Sequence, residues 1–196
     1  MARWEPDASG RLVEAAMQLY RERGFDQTTV ADIAARAGLT ERTFFRYFAD
    51  KREVLFSGSH TLQDFLVEKV TQAPPSMRPL DAVARAVAAS GEIFESRRDF
   101  ARQRQTLIVS HPELHERELI KFAALASAIG EALRRRGVPA PAAGLAADAG
   151  MTIFKRAFQS WLDDTKKKDL AHHVRAAQTE LEGVVASARR RRAPSW

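Results

Sequence analysis

The chain has no cysteine, so neither a disulfide framework nor a thiolate metal site is open to it. It has no run of about 18 apolar residues, the length a membrane-crossing helix needs. Its start, MARWEPDASG, lacks the apolar stretch of a secretory signal. The expectation is a soluble, cytoplasmic protein with no membrane partner. Strand signals are nearly missing too, and Gly and Pro punctuate long stretches of helical period instead. No strained nucleophile elbow and no phosphate-cradling glycine loop occurs, so enzymatic activity finds no support and no cofactor is expected. What remains is an all-α chain of about nine helices, and 196 residues suffice for two helical cores.

The formal charge of +6 is a poor guide to a partner, because four arginines at 189–192 supply +4 of it. That run reads as a solvated tail, with a DNA or membrane role as the alternative. A finer asymmetry is more useful. Across residues 36–52, Arg36, Arg42, Arg46, Lys51 and Arg52 stand against Glu41 and Asp50, a local net charge of +3. Arg3, ahead of the first helix, could reach a minor groove or do nothing.

The same region carries the strongest pattern in the chain. Thr29 and Asp32 have capping-box form, and Val30, Ile33, Ala34 and Ala37 repeat at helical spacing. Gly38 suits a left-handed helix end, and Thr40 is placed to cap the next helix, 41–48. Phe44 and Phe48, four apart, should point inward together. Arg42, Thr43, Phe45, Arg46 and Tyr47 are left outward. Arg reads guanine edges through two bonds, Thr meets a phosphate or a thymine methyl, and Tyr bonds a phosphate. Lys51, at the start of the following helix, could also hold a phosphate. A solvated αα-hairpin is the alternative, but it rarely exposes aromatics such as Phe45 and Tyr47. Two short helices and a tight turn, 29–48, therefore predict a helix-turn-helix reader of double-stranded DNA.

The first helix RLVEAAMQLYRERGFDQTTV, then VADIAARAGLTERTFFRYF, then DKREVLF resemble the DNA-binding domain of TetR/AcrR-type transcriptional regulators. The resemblance implies that 29–48 is the DNA-binding motif and that Thr40, Arg42, Thr43, Phe45, Tyr47 and Lys51 lie where such proteins touch DNA; Thr29 and Arg46 complete the candidate DNA-binding residues. Phe45 departs from the pattern, standing where many relatives carry a phosphate-bonding Tyr. Stacking on a sugar or a base methyl is what it retains.

Farther along, helices are predicted over 8–22, 51–71, 79–97, 99–109, 112–136, 141–163 and 169–188. The 141–163 helix is apolar over more than one face, which calls for burial on two sides. With the stripe on 169–188 it predicts a two-fold four-helix interface in a homodimer, through Ile153, Ala157, Trp161, Val174, Leu181 and Val185. Completion of a monomeric core is the alternative. The middle helices could enclose an effector against Phe65, Phe94, Phe100, Leu107, Phe122, Met151, Phe154 and Phe158, with Arg104 among a crowd of arginines that could hold an anionic group. His111 and His115 have superficial metal spacing, but Pro112 puts His111 at a helix boundary, which favours a capping or surface role and no metal. The stretches RQRQTLIVSHPELHERELIKFAALASAIGEALRRRG and AADAGMTIFKRAFQSW resemble actinobacterial regulators of the same superfamily, including the mycofactocin-associated type. That resemblance implies a fatty acyl-CoA-like or other hydrophobic effector.

The expected organisation is a DNA-binding domain over 1–52, an effector-binding and dimerisation domain over 53–188, and a basic tail over 189–196. The expected function is a dimeric repressor on a palindromic operator, released by a small, largely apolar effector. An activator or ligand-independent regulator of the same build, or a helical lipophile-binding protein or enzyme without specific DNA binding, are the alternatives.

Overall fold

The computed structural model describes residues 7–190, with 187–190 as backbone only. The Arg3 arm and the side chains of the 189–192 arginines lie outside the described residues. All regular structure among the described residues is helical. The order is α1 (Ala8–Arg23), α2 (Val30–Arg36), α3 (Glu41–Tyr47), a 3-10 turn (Glu53–Phe56), α4 (Ser59–Thr71), α5 (Pro79–Ala89), α6 (Gly91–Phe94), a second 3-10 turn (Glu95–Arg97), α7 (Arg98–Ser110), α8 (Pro112–Arg135), α9 (Ala140–Asp163) and α10 (Leu170–Arg190).

Two helices expected to be continuous are broken. Over 51–71, Asp50 takes up the backbone N–H groups of Arg52 and Glu53, at 2.7 and 3.2 Å, and Ser57 N–H bonds back only three residues to Val54. The chain therefore tightens into a 3-10 turn before α4 begins. Over 79–97, the Ser90 hydroxyl donates to the Val87 carbonyl at 2.7 Å, and its N–H is shared between Ala86 and Val87. A buried serine that bonds its own helix in this way ends the regular ladder.

The chain divides into two compact units. The first runs to Ser59 and takes in Arg102–Glu118; the second comprises His60–Ala101 and the chain from Leu119 on. Against the expected boundary at residue 52, the first unit thus also holds the 3-10 turn and the tip of the α7–α8 hairpin. In that unit α1 buries Leu12, Ala16, Leu19 and Tyr20, and Ile33, Phe44, Val54 and Leu114 complete the core. Arg104 fastens the hairpin tip within the unit. Its Nε donates to the Leu55 carbonyl at 2.7 Å, its Nη1 to Glu118 at 3.0 Å, and its guanidinium lies over the Phe56 ring.

The second unit packs α9 against α5 and α10. Gly150 permits the closest approach, since a Cβ there would sit 2.2 Å from Val83 Cγ1. Met151, Ile153, Phe154, Ala157, Trp161 and Leu162 of α9 are all buried with Val83, Val87, Leu170 and Val174. Both sides of the wide apolar arc on α9 are thus covered within its own subunit. Of the residues expected at the interface, Ile153, Ala157, Trp161 and Val174 are 0–1% exposed within the subunit. Leu181 is half-buried and Val185 is exposed.

Candidate functional site

Local chemistry fixes the helix-turn-helix. Thr29 accepts from Asp32 N–H at 3.1 Å while Asp32 accepts from Thr29 N–H at 3.0 Å, a complete reciprocal box. The Thr29 N–H bond, and after it the Thr29 hydroxyl, hold the Asp32 carboxyl below the usual carboxylate range. The end of α2 is a Schellman turn: Leu39 N–H bonds Ala34 O at 2.8 Å and Gly38 N–H bonds Ala35 O at 3.0 Å. Gly38 supplies the left-handed residue, with φ of 66°. The Arg11 guanidinium donates to the Ala37 carbonyl in the same turn. Thr40 then caps α3 by accepting from Thr43 N–H at 3.2 Å, and the two threonine hydroxyls lie 3.0 Å apart.

On α3 the inward and outward faces separate cleanly. Phe44 is fully buried and Phe48 is 7% exposed, their ring centroids 5.6 Å apart. Phe45 is 55% and Tyr47 43% exposed. Arg42 is exposed and finds no partner among the described residues. Arg46 donates to the Tyr47 hydroxyl at 3.1 Å and stacks on its ring. The face carries two guanidinium groups, two aromatic rings and a threonine, and offers no acid beyond Glu41 at the helix start. Cations and donors raised on a rigid rod suit phosphates and base edges.

Lys51 is turned the other way. Its Nζ donates to the carbonyls of Phe25, Asp26 and Thr28 at 2.8, 3.2 and 3.0 Å, and sits over the Phe25 ring. All three of its N–H groups are directed at the loop between α1 and α2, so it clamps that loop and holds none back for a phosphate. The Tyr20 hydroxyl donates to the Lys51 carbonyl at 2.7 Å, and burial, with Asp50 adding to it, pushes the phenol up so that it stays a donor. The run TTV made Thr29 legible, but nothing in the spacing of Lys51 announced three backbone acceptors. Arg36 is also committed, in a two-pronged pair with Glu22 at 2.9 and 2.8 Å. His111 is likewise structural in placement: its Nδ1 donates to the Leu107 carbonyl at 2.9 Å and its ring meets Phe25 edge-on.

The residues expected around an effector fall into both units. Arg104 and Leu107 belong to the first, where Arg104 is spent on Leu55 and Glu118; burial lowers its pKa against the pull of Glu118. Phe65, Phe94, Phe100, Phe122, Met151, Phe154 and Phe158 belong to the second. There, Phe94 lies 5.1 Å from Phe158 and 6.2 Å from Phe154, and Phe122 lies 5.8 Å from Phe154. Phe65 carries Lys69 over its ring, and Phe100 carries Arg97. Trp161, expected at the subunit boundary, instead stands at the end of this aromatic row, 5.5 Å from Phe158.

A helix-turn-helix on an N-terminal three-helix unit, followed by a separate helical unit, defines the class of helical DNA-binding regulators. Residues 12–57 match the bacterial regulatory proteins of the tetR family, and residues 77–186 match the MftR C-terminal domain. The chain belongs to the TetR family of bacterial regulatory proteins. Among curated relatives it is 28% identical over 125 residues to MftR, a mycofactocin biosynthesis transcriptional regulator of Mycobacterium tuberculosis. That match covers 64% of this chain and 63% of MftR, so the chain spans under two thirds of that relative. Two solved structures share the fold. SmeT of Stenotrophomonas maltophilia in complex with triclosan has a TM-score of 0.63 at 19% identity, covering 92% of this chain and 90% of SmeT. FadR of Bacillus subtilis with stearoyl-CoA has a TM-score of 0.58 at 17% identity, covering 86% and 94%. Among the described residues, no helix is long and apolar enough to cross a membrane.

Proposed function

We propose that this protein is a transcriptional repressor that binds a near-palindromic operator as a homodimer and releases it when a small, largely apolar effector binds. One observation carries the reading: α3 anchors Phe44 and Phe48 in the core while raising Arg42, Phe45, Arg46 and Tyr47 to solvent, with Thr43 half-buried among them. Arg42 is the guanine reader, Thr43 meets a phosphate or thymine methyl, Tyr47 bonds a phosphate, and Phe45 stacks on sugar or a base methyl. Thr29 and Thr40 act by capping, with their hydroxyls at the helix ends that face phosphate.

Two copies of α3 must enter successive major grooves, roughly 34–36 Å apart. The partner surface falls to Leu145, Val184 and Val185, which are 73, 65 and 58% exposed on α9 and α10, with Leu181 beside them. An effector that shifts the separation of the two readers by a few ångströms costs one half-site its register. A coupling of about 1–3 kcal/mol gives a 5- to 150-fold switch. The structures of SmeT with triclosan and FadR with stearoyl-CoA support a ligand with an apolar body for this fold.

The test is a salt-titrated affinity for the DNA upstream of the protein's own gene and for a scrambled duplex. The reading expects only the first complex to survive at about 0.15 M salt. Equal affinities would leave a helical lipophile-binding protein as the better reading, and a reporter that rises with the protein would make it an activator.

A further inference from the structure

Four buried side-chain donors in the second unit lack an acceptor among the described residues; two are on Arg136, and the other two belong to groups stacked on each other. The Trp161 indole Nε1 and the Arg98 Nε have no hydrogen-bond partner among the described residues, and Trp161 is fully buried. They belong to stacked groups, with Arg98 Cζ 4.6 Å from the centre of the Trp161 ring. The guanidinium is fixed rather than loose, because its Nη2 donates to the carbonyls of Trp161 and Lys168 at 2.7 and 3.1 Å. Its charge is uncompensated: no carboxylate pairs with Arg98 among the described residues. The nearby acids are engaged elsewhere. Glu95 accepts from Leu170 N–H at 2.8 Å, and Asp164 accepts from the N–H groups of Lys166 and Lys168 and lies 3.2 Å from His173 Nε2.

A buried donor without a partner costs free energy, and native proteins rarely keep two together without a use for them. Water fits the pair poorly, since it must donate as well as accept. A carboxylate only accepts, offers two oxygens, and neutralises the guanidinium. Leading away from the pair is the aromatic row Phe158, Phe94, Phe154 and Phe122, in which Phe94, Phe122 and Phe158 are only half-buried.

We infer that Arg98 and Trp161 form the acid-recognition end of the effector site, and that the effector is a monocarboxylate with an alkyl or aryl body lying along the phenylalanine row. The inference rests on the effector-responsive reading above and narrows it to a free acid, as against an ester or other neutral form.

The probe is sodium decanoate below its micellar concentration, with methyl decanoate as the uncharged control. In full-length protein carrying Trp4→Phe and Trp196→Phe, Trp161 is the only indole, and its emission reports occupancy of the site. The expected result is a saturable emission change with decanoate, at least about tenfold tighter than with the ester, as a charge-assisted bond implies. Arg98→Met should abolish that preference while leaving ester binding nearly intact. A variant that is only less well folded would lose both ligands in parallel, so the ratio isolates recognition of the acid. Equal binding of acid and ester, no saturable change with decanoate, or a preference that survives Arg98→Met would each overturn the inference. Operator binding measured on the same samples without ligand tests the broader reading separately.

Discussion

Lys51 illustrates what one cation can do when backbone oxygens converge on it. Three carbonyls of the loop between α1 and α2 are gathered by its ammonium. Lys51→Met should lower stability by about 2 kcal/mol or more, because bonds from a charged donor are the strong ones. In a chain of this length that is a fall of roughly 4–8 °C in Tm. The slope of log affinity against log salt should stay near the native value, as read by anisotropy. A slope shallower by about one unit with Tm unchanged would make Lys51 a phosphate ligand after all. The sequence placed Lys51 beside DNA because its position along the chain is that of a helix start. Which way a four-carbon stem turns depends on where distant carbonyls point, and no local pattern carries that.

At the scale of single helices, α2 and α3 have seven residues each, too short to persist without caps and packing. Their caps and turn were legible because capping is local chemistry: Thr29, Asp32, Gly38 and Thr40 act within three or four residues of themselves. The Asp32 carboxyl gives the α2 cap a pH dependence. Its folded pKa is depressed, chiefly by the Thr29 N–H, so the stabilisation is whole above the unfolded value and is lost as pH falls through the folded one. Asp32→Asn should therefore lower Tm at pH 7, with the gap to the native protein closing below about pH 4. A gap constant from pH 7 to pH 3 would remove the carboxylate from the account. Helix α9 makes a different demand. Gly150→Ala drives a methyl into Val83 and should cost about 1–3 kcal/mol in a chemical denaturation series. Adding Val83→Ala should recover part of that loss, and strictly additive costs would contradict the close approach of α5 and α9.

For the whole molecule, the all-helical class and an N-terminal helix-turn-helix unit followed by a larger helical unit were readable from period and punctuation. What covers each side of α9 was not. A wide apolar arc says that a helix is covered, and only the positions of α5 and α10 say by what. Ile153, Ala157, Trp161 and Val174 are covered within the subunit, and the partner surface proposed above falls on the exposed Leu145, Val184 and Val185. Leu145→Asp with Val185→Asp should leave helicity unchanged and shift the mass found by light scattering from dimer to monomer. Unaltered mass would place the partner surface elsewhere.

Reading of the operator by α3 is the central claim, and Arg42→Ala addresses it most directly. The quantity to measure is the ratio of affinities for the upstream duplex and a scrambled one, by anisotropy at about 0.15 M salt. Native protein should show a ratio of about a thousand or more. Loss of a two-bond guanine contact should lower it by roughly 5- to 150-fold, with Tm unchanged. A ratio unaffected by Arg42→Ala would contradict the assignment of α3 as the reading helix.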